Sequence, residues 1–186
     1  MRLFIAVLLP DETKKILDTL ILQLTSRLPG WRWIPIENVH LTLKFIGDKD
    51  NDKFCFIQQC LTAVLKEKKI GPMQISLETI GVFPPGKRPT VLWCGVTEPS
   101  DSLIKLVDDL ETELEKYGIP KEKRTFVPHI SLARSDKNDP HRFHPKILQI
   151  YEKRVFATFQ TSMLSLMESA LTKCGPVYKE IFQVAF

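Results

Sequence analysis

Two tetrads carry side chains suited to moving protons at a phosphate: His40-Leu41-Thr42-Leu43 and His129-Ile130-Ser131-Leu132. Imidazole titrates near neutrality, so one copy can accept a proton while the other, protonated, gives one up. Alternate residues of an extended strand share a face, which sets each histidine beside the hydroxyl two positions on, roughly 6 to 7 Å away. Both groups then reach one phosphate, with the hydroxyl donating to a non-bridging oxygen and a nearby guanidinium neutralising developing charge. Singly each tetrad is weak evidence, because such tripeptides arise by chance and a lone histidine is usually structural. Their pairing in a repeat is the stronger signal. Pro10 precedes His40 by 30 positions and Pro99 precedes His129 by 30, each in the order strand, proline, helix, histidine strand. Such a duplication predicts two similar lobes about a pseudo-two-fold axis, with both histidine strands facing one central groove.

The elements that must position these groups follow from periodicity. A strand over about Leu3 to Leu9 ends at Pro10, and Asp11 is suited to cap a helix carrying Ile16, Leu17, Leu20, Ile21, Leu24 and Leu28 inward. Trp31-Arg32-Trp33 alternate briefly. From Val39 to Phe45 period 2 predicts Leu41, Leu43 and Phe45 on one face and His40, Thr42 and Lys44 on the other. A helix is expected over about Asn51 to Lys68, closed by Gly71-Pro72, then strands over about Met73 to Val82 and Thr90 to Thr97. The loop between those strands holds Phe83-Pro84-Pro85-Gly86-Lys87-Arg88-Pro89. A third helix opens at Pro99-Ser100-Asp101 and ends near Gly118; the second histidine strand runs from Val127 to Ala133. A last helix near Pro145 to Tyr151 and strands over Phe156 to Glu168 and Val177 to Phe186 complete the chain, the final pair joined through Thr172-Lys173-Cys174-Gly175-Pro176.

Composition sets limits. The 186 residues, 44% of them hydrophobic, suit one domain, residues 1–186, with two lobes. No run approaches the roughly 18 to 20 apolar residues of a membrane span. The apolar start, Met1 to Leu9, is interrupted by Pro10-Asp11-Glu12 and reads as a buried strand rather than a leader. Cysteines at 55, 60, 94 and 174 form no C-x-x-C pair, so neither disulfides nor structural zinc is signalled and a cytoplasmic setting is expected. The net charge of +4 permits a polyanionic substrate without demanding one.

With these residues in place, the chain resembles the two-histidine phosphoesterase superfamily, and within it the RNA 2',3'-cyclic phosphodiesterases long called 2'-5' RNA ligases. The likeness spans nearly the whole chain. It rests on Arg2 to Val7, on Trp33 to Gly47 (Trp-Ile-Pro-Ile-Glu-Asn-Val-His-Leu-Thr-Leu-Lys-Phe-Ile-Gly) and on Phe126-Val127-Pro128-His129-Ile130-Ser131-Leu132-Ala133-Arg134. Lys87-Arg88-Pro89 before Val91-Leu92-Trp93, and Gly175-Pro176-Val177-Tyr178, add to it. The family favours Thr in both tetrads; Ser131 keeps the hydroxyl and loses a methyl.

The resemblance implies an α+β, duplicated two-lobed fold with antiparallel sheets lining a central groove and helices outside. It implies hydrolysis of a terminal 2',3'-cyclic phosphate to a 2'-phosphate, with His40 as proton donor, His129 as proton acceptor, and Thr42, Ser131 and Arg134 holding the phosphate. The residues alone support an acid and a base without saying which is which. No cofactor is expected, and the expected partner is RNA or a nucleotide bearing a cyclic phosphate, met by a monomer.

Competing readings are fewer. His141 and His144 have a ligand-like spacing but sit in a polar loop without a suitable third partner, so no metal is expected. Neither a Lys-x-Asp-Gly motif nor a phosphate-cradling glycine loop is present, which leaves ligation only as reversed phosphodiester chemistry. Activity on 2'-5'-linked oligonucleotides remains the runner-up among enzymes. A noncatalytic RNA- or nucleotide-binding module is the reading from another class, and the presence of both histidines and both hydroxyls weighs against it. Among the aromatics, Phe83 is the best candidate for stacking on a base, since it adjoins the Pro/Gly loop with Lys87 and Arg88.

Overall fold

The computed structural model describes residues 1–86, 88–135, 145–173 and 175–185. Its centre is one antiparallel sheet of nine strands: β1 (Arg2–Leu8), β2 (Arg32–Trp33), β3 (His40–Asp48), β4 (Met73–Phe83), β5 (Val91–Glu98), β6 (His129–Arg134), β7 (Val155–Thr161), β8 (Met163–Thr172) and β9 (Gly175–Ala185). The spatial order is β7-β4-β5-β6-β3-β1-β8-β9, with β2 paired to β6. Three helices, α1 (Asp11–Thr25), α2 (Asn51–Lys68) and α3 (Ser100–Glu115), pack on one face.

That face is dictated by the side-chain pattern. Leu17, Leu20, Ile21 and Leu24 of α1, Ile57, Leu61, Val64 and Leu65 of α2, and Leu103, Leu106, Val107, Leu110 and Leu114 of α3 recur at helical spacing and are all buried. They meet Leu3, Ile5 and Val7 of β1, Leu41 of β3, Leu92 and Cys94 of β5, and Ile130 and Leu132 of β6 in one core. Each such side chain contributes about 1.5 to 3 kcal/mol by leaving water. A smaller cluster of Phe4, Ala6 and Met167, with Leu8 and Tyr178 against it, lies on the opposite, groove-facing side.

The duplication keeps one offset throughout. Phe4 and Trp93, Pro10 and Pro99, His40 and His129, and Leu41 and Ile130 are each 89 positions apart. With β1 matched to β5, β3 to β6, β4 to β8 and β7 to β9, the strand order reads the same from either edge. The halves join where β3 pairs with β6 at Leu41 and Ile130, two equivalent residues, so the pseudo-two-fold axis passes between them.

Several local expectations are corrected. Pro10, not Asp11, occupies the cap of α1, and Asp11 opens the first turn, where its charge faces the helix dipole favourably. Lys69, in a left-handed conformation, ends α2 before Gly71-Pro72 is reached. The strand expected over Phe156 to Glu168 is divided at Ser162: β7 pairs with β4 at one edge, whereas β8 pairs with β1 and β9. Pro145–Tyr151 is a 3-10 segment.

Candidate active site

His40 and His129 open β3 and β6. From the Leu41–Ile130 pair, continuing the antiparallel register one residue each way sets His40 across from Ser131 and Thr42 across from His129. The four side chains therefore occupy the corners of one patch on the groove face, and strand geometry puts the two histidine Cα atoms, on its diagonal, roughly 8 Å apart.

Each imidazole is held by the same device. His40 Nδ1 lies 2.7 Å from the Asn38 carbonyl oxygen, and His129 Nδ1 lies 2.7 Å from that of Val127. A carbonyl only accepts, so Nδ1 carries the proton in both rings and donates it. Nε2 is thereby left as the working atom, a lone pair when the ring is neutral and an N–H donor when it is charged. The segment before β3 is fixed in turn by Asn38, whose Nδ2 donates to the Pro176 carbonyl at 3.0 Å and ties it to the β8–β9 hairpin.

Aromatic rings frame both histidines. Phe4 stacks on His40 with centroids 4.8 Å apart, and Tyr178 meets it edge-on at 5.2 Å. Phe83 meets His129 edge-on at 5.1 Å and Trp93 does so at 6.4 Å. Burial among these groups pulls both imidazoles below the usual histidine value, opposed in each case by the carbonyl bond; for His129 the positive charge of Arg134 pulls further down. The downward shift favours the neutral form of each ring, and a bound anion favours the protonated one.

Arg134 reaches this face through a bulge. Strict alternation from His129 would turn it to the helix side. Trp93 pairs with Ser131 but Leu92 with Ala133, so Leu132 is an extra residue in β6 and the phase flips behind it. The equivalent extra residue in β3 is Leu43, between Thr42 opposite Ala6 and Lys44 opposite Ile5. This overturns the period-2 expectation for two residues. Lys44 turns to the helix side, where it pairs with Glu111 at 2.9 Å and donates to the Pro120 carbonyl at 2.8 Å, and Phe45 emerges on the groove side near Phe4.

His40, Thr42, Ser131, His129 and Arg134 thus come together, and Phe83 stands at the edge of the group; Lys87, His141 and His144 lie outside the described residues. Trp93 is among the aromatics that reading the sequence offers for stacking, with Trp31, Trp33, Phe45 and Phe83, but Phe4, Tyr178 and the two carbonyl anchors are given no role by it. The offset of 89 that equates Phe4 with Trp93 is the available signal. Among the described residues no group of three or more His, Cys, Asp or Glu is placed to hold a metal. Burial pushes the Cys60 and Cys94 thiols up to about 12, which keeps them protonated and unsuited to nucleophilic attack. No helix of the described residues is long and apolar enough to cross a membrane.

The arrangement is a pair of titratable rings beside hydroxyls and a guanidinium, groups suited in type to acid–base chemistry at a phosphodiester. Residues 17–172 match the model of the 2'-5' RNA ligase superfamily. The chain is 34% identical over 148 residues, 79% of its length and 77% of the relative's, to the RNA 2',3'-cyclic phosphodiesterase of Aquifex aeolicus. To that of Thermotoga maritima it is 32% identical over 189 residues, covering 100% of this chain and 96% of the relative. A crystal structure of a Thermus thermophilus protein superposes with a TM-score of 0.78 at 25% identity, over 100% of this chain and 97% of that one. E. coli LigT complexed with 3'-AMP shares the fold at a TM-score of 0.73 and 22% identity, over 99% and 97% of the two chains.

Proposed function

The chain belongs to the 2'-5' RNA ligase superfamily, and from that premise we propose that it acts as an RNA 2',3'-cyclic phosphodiesterase through His40 and His129. The observation that carries this reading is the matched pair of Nδ1–H bonds to the Asn38 and Val127 carbonyls, which leaves both Nε2 atoms without a partner among the described residues.

In the forward direction His129 Nε2 takes a proton from water as its oxygen bonds to phosphorus. The bond from phosphorus to the ribose 3' oxygen breaks, and protonated His40 delivers its Nε2 proton to that oxygen. The product keeps a 2'-phosphate. Thr42 and Ser131 donate to non-bridging oxygens, and the Arg134 guanidinium balances the charge that builds there. Each proton transfer contributes about 10²- to 10⁴-fold, so the two together lower the barrier by roughly 5 to 11 kcal/mol. With the 5' hydroxyl of a second strand in place of water the same steps join ends: His129 takes that hydroxyl's proton as its oxygen bonds to phosphorus, and the 3' oxygen leaves with the proton from His40, which accommodates ligation without a nucleotide cofactor.

The test is turnover of an oligoribonucleotide ending in a 2',3'-cyclic phosphate, in EDTA. We expect a 2'-phosphate product, a bell-shaped dependence of kcat/KM on pH, and a loss of at least about 10² in kcat in His40→Ala and in His129→Ala. Full activity in either variant would refute the acid–base pair; tight binding with no turnover would make the protein a binding module.

A further inference from the structure

The shortest strand, β2, sets a second guanidinium beside the site. It pairs antiparallel with β6, Arg32 opposite Arg134 and Trp33 opposite Ala133. Opposed residues share a face of the sheet. Trp33 packs against the core with Ala133, and the Ile34 N–H donates to the Leu132 carbonyl at 2.9 Å, so this short strand is pinned and Arg32 is held on the groove side with Arg134. Both arginines are exposed, and among the described residues neither has a carboxylate partner.

Two like charges directly opposite on neighbouring strands repel unless an anion lies between or over them. A cyclic phosphate diester carries one negative charge, which leaves one of the two guanidiniums uncompensated. The end of an RNA strand brings a second charge at the adjoining internucleotide link. Across the bulge Ser131 lies opposite Trp93 and Arg134 opposite Val91, two β5 residues or about 7 Å apart, and Arg32 lies one strand spacing, about 4.8 Å, to the side of Arg134. With Arg134 serving the reacting phosphate, Arg32 extends the positive surface beyond it rather than doubling it at the phosphorus.

We propose that Arg32 binds the internucleotide phosphodiester next to the reacting cyclic phosphate, so that the site selects the end of an oligonucleotide over a lone cyclic nucleotide. This rests on the phosphodiesterase reading above and names a residue for substrate length that the acid–base pair does not supply. Arg32 is a specificity residue and takes no part in proton transfer.

The experiment compares a nucleoside 2',3'-cyclic phosphate, with one phosphate, against a dinucleotide ending in a 2',3'-cyclic phosphate, in the wild type, Arg32→Ala and Arg32→Lys. Arg32→Ala should raise KM for the dinucleotide about tenfold more than for the mononucleoside, with kcat little moved, and should weaken the salt dependence of dinucleotide kcat/KM. Arg32→Lys should recover part of the loss, since a point charge replaces the fork. Equal losses on both substrates, or none on either, would overturn the proposal. Failure of the wild type to turn over either compound would instead bring down the phosphodiesterase reading, and this one with it.

Discussion

Replacing Gly81 by alanine tests the packing that holds His129. Gly81 lies on β4 opposite Trp93 of β5, and a Cβ there would sit 2.7 Å from Trp93 Cε2 and closer still to Cζ2 and Cη2. Carbon contacts settle near 3.5 to 4.0 Å, so the indole must move by at least about 1 Å. It cannot retreat into the β4 backbone, and it is flanked by Phe83, two residues along β4 with its ring centroid 5.0 Å away, and by His129 at 6.4 Å. Overpacking of this kind costs about 1 to 3 kcal/mol, or about 2 to 4 °C of melting temperature per kcal/mol in a domain of this size. A displacement near 1 Å passed to a reacting group lowers kcat by up to about 10²-fold. Thermal melts and steady-state kinetics on a cyclic-phosphate-ended oligonucleotide would measure both. Trp93→Phe in the Gly81→Ala background shortens the ring and should restore part of the melting temperature. An unchanged melt and kcat in Gly81→Ala, or strictly additive effects in the double variant, would show that the indole does not lie over Gly81.

Other perturbations bear on the rest of the fold. Lys44→Met leaves the Glu111 carboxylate buried without its cation and should cost about 3 to 5 kcal/mol in urea unfolding, with much of the loss recovered when Glu111→Leu is added. Stability should also fall on acidification. The folded-state pKa values of His40 and His129 lie below the unfolded value of 6.5, so the unfolded chain binds more protons as the pH drops through that value. Urea midpoints should therefore decline from about pH 7.5 to about pH 5, and a His40→Asn/His129→Asn variant should show a flatter decline. A wild-type profile no steeper than that of the variant would contradict the burial of the two rings.

What is legible in the sequence is chiefly what repeats. Equal spacing of Pro10 to His40 and Pro99 to His129 reveals the duplication, and helical spacing of Leu103, Leu106, Val107, Leu110 and Leu114 reveals α3. Period 2 then fails behind both tetrads, because an extra residue in a strand leaves no mark in composition: Leu43 and Leu132 read as ordinary strand residues. Their effect becomes visible only through the partner strands, which is why alternation alone assigns Lys44 and Phe45 to each other's faces. The aromatic frame is hidden for a similar reason, since Phe4 and Tyr178 are far from His40 in sequence and reach it through β1 and the β8–β9 hairpin. Arg32 lies in a strand of two residues, and the brief alternation of Trp31-Arg32-Trp33 does not say which strand they join.

The bulges give the duplication a consequence for descent. Behind them, equivalent positions carry Phe45 in one half and Arg134 in the other, and both emerge on the groove side. Two identical subunits around a true axis would have to place the same residue at both points, a pair of rings or a pair of charges. A single chain that carries both halves is free of that constraint, and Leu41 and Ile130 keep the join almost symmetrical. One side of the groove thereby presents a ring and the other a cation.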